Sequence, residues 1–189
     1  MAAWFFCRNR KRPDSTVPAA AGRSAFLLQQ ERFLFSRGRR GPATGNFEHY
    51  VRSGRAMLRC GYTTGTCAAL AAGAAVELLL TGKAPEEVSL ATPKGWRVAV
   101  PLEEAELLEG GWARCAVRKD AGDDYDVTDG MLVRAAVRRA DAPGVHIDGG
   151  EGVGRVAKPG LDQSVGEAAI NQVPRRMIGE QVRAVCGRL

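Results

Sequence analysis

The twelve residues KDAGDDYDVTDG, Lys119 to Gly130, hold five aspartates. Carboxylates at this density suit a metal ion, a cationic ligand group, a proton-transfer step or a self-bonded turn. Spacing excludes the calcium loop of an EF-hand. Counting from Asp124, position six is Asp129 where glycine is needed, and position twelve is Ala135 where an acid is needed. A turn is well served, because Asp side chains fold back onto nearby N–H groups and Gly122 tolerates positive φ. Crowding of like charges is expected to raise the pKa of at least one carboxylate, as in a general acid or base tuned toward neutral pH. Asp123, Asp124 and Asp126 are the candidates for catalysis.

A second group is TTGTCAA, in which Thr63, Thr64, Gly65 and Thr66 precede an alanine-rich apolar run. Free N–H groups at such a helix start attract anions, whereas the plainer role is two capping threonines, worth about 1 kcal/mol. Cys67 would have a lowered pKa in the first turn, but no histidine is near in sequence, and a buried small residue is the better reading. The run Gly149 to Gly160 fits G-x-G-x-x-A at Gly152, Gly154 and Ala157, yet Pro159 and Gly160 follow at once, so no helix can open there to receive a dinucleotide. What remains is a tight backbone path that either turns the chain or lets a ligand approach. Five scattered cysteines without a C-x-x-C pair indicate a reducing compartment, and with only His49 and His146 no protein-bound metal is expected. His146, inside a short apolar run, reads as a hydrogen-bonded core or strand-end residue.

The elements that must position these groups follow from periodicity and turn chemistry. A helix is predicted from Gly65 to Leu80, capped by Thr63 and Thr64 and closed by Gly82; its apolar residues cover every face, so it is buried. It is too short for a membrane span, and no other run approaches the ~20 apolar residues one needs. Val88–Thr92 and Trp96–Val100 form a hairpin about Pro93-Lys94-Gly95, and Trp112–Arg118, Met131–Arg138 and Val145–Ile147 are further strands. The aspartate loop then joins two strands. A last helix opens with Pro174 at its first position, puts Met177, Ile178, Val182 and Val185 on one stripe, and ends at Gly187. Phe47 to Arg59 reads only as a charged approach segment. Grouped strands between two helices argue for an α+β fold, a two-layer α/β sandwich.

The formal charge of +6 sits at one end. Residues 1–44 carry nine Arg/Lys against two Asp/Glu, leaving 18 against 19 in the body, so no nucleic-acid partner is expected for the body. Residues 1–45 read as a disordered basic leader: an organelle-targeting peptide, a nucleic-acid-binding arm or, the favoured alternative, sequence upstream of a wrongly assigned start. Residues 46–189 form the domain.

With its motifs laid in order, the chain resembles the CbiD family, the cobalt-precorrin-5B (C1)-methyltransferases of cobalamin biosynthesis. The resemblance rests on LRCGYTTGTCAA, the P-x-G hairpin at Pro93, KDAGDDYDVTDG, GGEGVGRVAKPGL and GEAAINQVPR, five blocks in family order from Phe47 to Leu189. Departures are Tyr125 and Gln172 where the family pattern has proline, and Ala157 where it has threonine. The resemblance implies an N-terminal portion of a cytoplasmic enzyme that continues into a second α/β domain. It implies methyl transfer from S-adenosyl-L-methionine to a ring carbon of a cobalt-containing tetrapyrrole, with other corrin-pathway enzymes as partners and no membrane. Under it, Thr63, Thr64, Gly65, Thr66 and Arg175 take the substrate's carboxylates, with Arg176 beside them. The methyl donor falls to Lys119, Asp120, Gly150, Glu151, Gly152, Gly154 and Asn171. Five aspartates would repel the substrate's acidic rim, so the loop suits the donor's cations or a proton. The alternative is a non-catalytic tetrapyrrole-binding or assembly module.

Overall fold

A computed structural model describes residues 3–7, 24–30, 47–140, 144–160 and 163–189. The elements are β1 (Ala3–Cys7), β2 (Ser24–Gln30), β3 (Tyr50–Ser53), β4 (Ala56–Arg59), α1 (Thr64–Thr81), β5 (Glu87–Ala91), β6 (Arg97–Pro101), β7 (Glu104–Leu108), β8 (Trp112–Arg118), β9 (Leu132–Ala140), β10 (Val145–Gly149) and α2 (Gln172–Arg188). A six-stranded sheet in the order β1-β10-β2-β9-β8-β7 forms one layer, with β3–β4 and β5–β6 as separate hairpins. Pairing is antiparallel except between β10 and β2. The helices form the second layer, so the α+β two-layer reading holds.

α1 forms where its composition demands. Thr63 caps it, its side chain accepting the Thr66 N–H, and Gly82 closes it at φ 72° with its N–H on the Leu78 carbonyl. Leu70 and Val76 are fully buried, as are Cys67, Ala69 and Ala71. They pack with Ala113, Cys115 and Val117 of β8, Val133, Ala135 and Val137 of β9, and Ile178, Val182 and Val185 of α2. By length and composition α1 also meets the test for a membrane-crossing helix, but two-thirds of it is buried inside the fold. α2 begins at Gln172 after Asn171, placing Pro174 in the third position instead of the first, and it runs through Gly187 to Arg188.

The two helices lie parallel, which small residues permit. A Cβ at Gly65 would come within 2.8 Å of the Pro174 ring, and one at Gly73 within 2.9 Å of Gln181. The partners advance in the same direction along both helices, so their N-termini sit at one end. Side-by-side dipoles of like sense repel weakly. The alignment therefore comes from packing, not from electrostatics.

Residues alternating with the helix-facing ones place Arg114, Arg118, Arg134 and Arg138 on the outer face of the sheet. Arg134 pairs with Glu104 at 2.6 Å, Arg114 with Glu106 at 2.7 Å and Arg118 with Glu103 at 3.1 Å, while Arg138 lies over Trp112. Long guanidinium stems and cross-strand charge pairs finish this face.

Two strands, β1 and β2, lie in the leader that composition assigned to disorder. Their segments AWFFC and SAFLLQQ pair with each other and with β10, as β-forming apolar residues can whenever a neighbouring edge is open. The rest of the leader lies outside the described residues.

Candidate functional site

Strand directions bring the singled-out motifs to one end of the sandwich. β8 finishes at Arg118 where the aspartate loop starts, β9 leaves the loop at Leu132, and β10, separated from β9 by β2, runs antiparallel to β9 and finishes at Gly149. The first turns of α1 and α2 stand at that end, and neither carries an acidic residue.

The loop is held by the segment just before α1. Arg59 donates to Asp120 through both terminal nitrogens, at 2.6 and 2.8 Å, and its backbone N–H donates to the Asp123 carboxylate at 2.7 Å. The Tyr62 N–H bonds the Asp120 carbonyl, and the Tyr62 hydroxyl donates to the Arg118 carbonyl at 3.0 Å. Cys60 and Gly122 form a β-bridge. The approach is so close that a Cβ at Gly61 would lie 2.2 Å from the Ala121 backbone, and one at Gly122, which has φ 69°, 2.3 Å from the Arg59 carbonyl. Glycine is required at both points.

Inside the loop, Asp120 accepts from the Gly122 N–H, Asp126 from the Thr128 N–H and hydroxyl, and Asp129 from the Ala121 N–H. Lys119 is 4% exposed, and its ammonium donates to Asp126 at 2.6 Å. Two of the carboxylates move opposite to the expected rise. Lys119, helped by Thr128, pulls Asp126 down to about 2, and Arg59, followed by the Gly122 N–H, holds Asp120 below the usual range against an opposing effect of burial. Hydrogen bonds to the ionised form outweigh like-charge crowding because the loop recruits two cations. Asp124 is exposed, and only its backbone N–H takes part, bonding the Ala121 carbonyl at 3.4 Å.

At the start of α1, Thr63 accepts the Thr66 N–H at 3.2 Å and lies 3.1 Å from its hydroxyl. Thr64 and Gly65 follow on the first turn, and Thr63 is the residue exposed to solvent. Cys67 sits there fully buried, and burial pushes its thiol up to about 12, so it is no nucleophile. His49 stacks on Trp96 at 4.5 Å, and His146 is an exposed residue of β10, not a core one.

The glycine block opens no helix. Its chain folds back through an Arg155–Ala168 bridge, with the Ala169 N–H on the Gly154 carbonyl. Gly150 is buried, while Glu151, Gly152 and Gly154 are exposed. Arg155 ties this fold-back together through Asp148 at 2.9 Å and the Gly166 carbonyl at 2.7 Å. Arg175, expected to bind a substrate carboxylate, instead donates to the carbonyls of Ile147, Ala168 and Ile170 at 2.6, 3.1 and 2.9 Å. Three of its N–H groups serve the junction between β10 and α2. Arg176 is exposed, and Asn171 caps α2 without a side-chain bond.

Sequence reasoning passed over Arg59, Gly61 and Arg155. A usable signal was present for Arg59. A loop with five carboxylates and one lysine needs a second cation, and an arginine stands just before the helix cap.

Comparison with known proteins bears on this end directly. The family model described as CbiD matches residues 51–189. A cobalt-precorrin-5B C(1)-methyltransferase of Geobacillus kaustophilus (strain HTA426) is 54% identical over 128 residues, covering 68% of this chain and 34% of that protein. One from Thermoanaerobacter sp. (strain X514) is 45% identical over 135 residues, covering 71% and 36%. A crystal structure of a cobalamin biosynthesis protein (cbiD) from Archaeoglobus fulgidus is 30% identical with a TM-score of 0.41, covering 72% of this chain and 42% of its own. The chain spans about a third of the length of the curated relatives it matches. The capped helix, the aspartate loop and the glycine block all fall inside the matched residues, and the chain belongs to the CbiD family.

Proposed function

We propose that this chain contributes to methylation of cobalt-precorrin-5B at ring carbon C-1, with S-adenosyl-L-methionine as methyl donor, in cobalamin biosynthesis. The observation that carries the reading is the meeting of the aspartate loop, the α1 start and the α2 start at one end of the sheet, within a stretch 54% identical to a protein bearing that activity in its name. In such a reaction the methyl leaves the sulfonium sulfur for a nucleophilic ring carbon, and in-line positioning supplies most of the acceleration.

The residues divide by charge. The exposed Asp124 is the loop carboxylate placed to meet a donor cation, while Asp123 fixes the loop to Arg59. Acid groups of the substrate are matched to the first turns of α1 and α2, where free N–H groups carry partial positive charge. Lys119 and Asp120 act as the loop's internal supports, and the buried Gly150 with the exposed Gly152 and Gly154 leaves room for close approach of a ligand.

A binding or assembly role without chemistry is supported by one observation. The two loop carboxylates with displaced titration both move down, away from proton transfer near neutral pH. Methyl transfer to cobalt-precorrin-5B, followed by mass spectrometry in a full-length relative, separates the readings. Asp124→Asn there is expected to weaken donor binding and slow turnover about tenfold, within the range of a lost charge-assisted contact. Unchanged donor affinity and rate would remove the loop from the reaction.

A further inference from the structure

The segment before α1 and the start of the aspartate loop pair as two short antiparallel stretches. The Tyr62 N–H bonds the Asp120 carbonyl at 2.9 Å, Cys60 bridges Gly122, and the Asp123 N–H bonds the Arg59 carbonyl at 2.9 Å. Arg59 spans the whole of this pairing. Its backbone N–H donates to the Asp123 carboxylate at one end, and its guanidinium reaches Asp120 at the other through two bonds. A Cβ fits at neither Gly61 nor Gly122, so close contact fixes the register as well as the hydrogen bonds do. The residues that leave the pairing are the ones the site offers to ligands. Thr63 follows Tyr62 and caps α1, Asp124 follows Asp123 at the opposite end, and both are exposed.

We infer that Arg59 is a positioning residue for the reaction, holding the carboxylate-binding start of α1 and the donor-facing Asp124 at one fixed separation. This rests on the methyl-transfer reading above and adds what keeps its two ligand contacts in line. The guanidinium fork suits the task, because a bidentate pair with a carboxylate fixes angle as well as distance, which a lysine's point charge does not. It also neutralises Asp120, one hydrogen bond from Tyr62, where an unpaired carboxylate would repel the acid groups of the substrate. In-line displacement tolerates little misplacement, since an error of about 1 Å can cost on the order of a hundredfold in rate. Each contact keeps its own groups when the clamp is loosened. The loss therefore falls on the reacting geometry and leaves the binding of either ligand nearly intact.

The test takes a full-length relative with arginine and aspartate at the positions of Arg59 and Asp120, and follows methyl transfer to cobalt-precorrin-5B by mass spectrometry. Arg59→Ala is expected to lower kcat about tenfold to a hundredfold while KM for donor and for acceptor stays within about threefold. Asp120→Ala is expected to do the same, and the double variant to do no worse than either, because Arg59 acts through Asp120. If Arg59→Ala melts below the assay temperature, Arg59→Lys takes its place with the same split expected, since it keeps a cation against Asp120 without the fork. A rise in either KM at unchanged kcat would make Arg59 a direct ligand contact and overturns the inference. An unaltered kcat, or losses that add in the double variant, overturns it too and leaves the methyl-transfer reading standing. Absence of methyl transfer by the parent brings down that reading and the inference with it.

Discussion

Lys119 and Asp126 make the pair on which the loop's shape depends. The ammonium is almost wholly buried, with a side chain 3% exposed, while its partner is 34% exposed. Removing Asp126 leaves the buried ammonium uncompensated, so Asp126→Ala is expected to destabilise the fold by about 3 kcal/mol or more, read from the urea midpoint at unchanged slope. The pH dependence has a definite sign. Asp126 has a folded pKa of about 2, below its ordinary value, so its contribution is complete above the ordinary value and disappears as pH falls through about 2. Carboxyl chemical shifts followed by NMR should show Asp126 still ionised at pH 3, and a midpoint near 4 would contradict the pairing. The acid-rich loop was legible in the sequence, but the direction of its titration was not. Crowded carboxylates raise a pKa only when no cation reaches them, and Arg59 arrives from 61 positions away. That contact has no local sequence signature.

At the scale of elements, the parts written in strong local chemistry were read well. α1 carries its caps and an all-round apolar surface, and the β5–β6 hairpin carries Pro-Lys-Gly. β3 and β4 were missed because every residue of β3 is exposed and no inward alternation exists to be seen. β7 was missed for the same reason. It is an edge strand with outward Glu104 and Glu106, and the charges that hid it from a periodicity test also guard the edge against pairing with another chain. Helix packing gives a test of its own. Gly65→Ala must displace the Pro174 ring and is expected to cost about 1–3 kcal/mol, whereas Gly61→Ala meets rigid backbone at 2.2 Å and should cost about 3 kcal/mol or more. Thermal melts of the two variants rank them; equal melting temperatures would mean that the loop and the α1 approach are not in close apposition.

Across the whole molecule, polarity divides by face and by end. One face of the sheet is closed by helices, the other by arginines paired with glutamates, and the end between the helix starts and the loop holds most of the candidate chemistry. The +6 charge of the whole chain gave no sign of this arrangement, because the excess lies in the first 44 residues.

The clamp between Arg59 and the aspartate loop also bears on the order of folding. Hairpins β3–β4 and β5–β6 and the β8–β9 ladder join near neighbours in the chain, whereas Arg59 must find Asp120 across 61 residues. Closing so long a segment carries an entropy cost that is recovered only after the strands between are in place. The clamp should therefore be absent from the folding transition state. In stopped-flow experiments, Arg59→Ala is expected to leave the refolding rate within about twofold and to speed unfolding about tenfold. Slowed refolding with unchanged unfolding would place the clamp in the nucleus. The consequence is temporal: the loop takes its working shape after the sheet that carries it, and it is the first region to open when the protein unfolds.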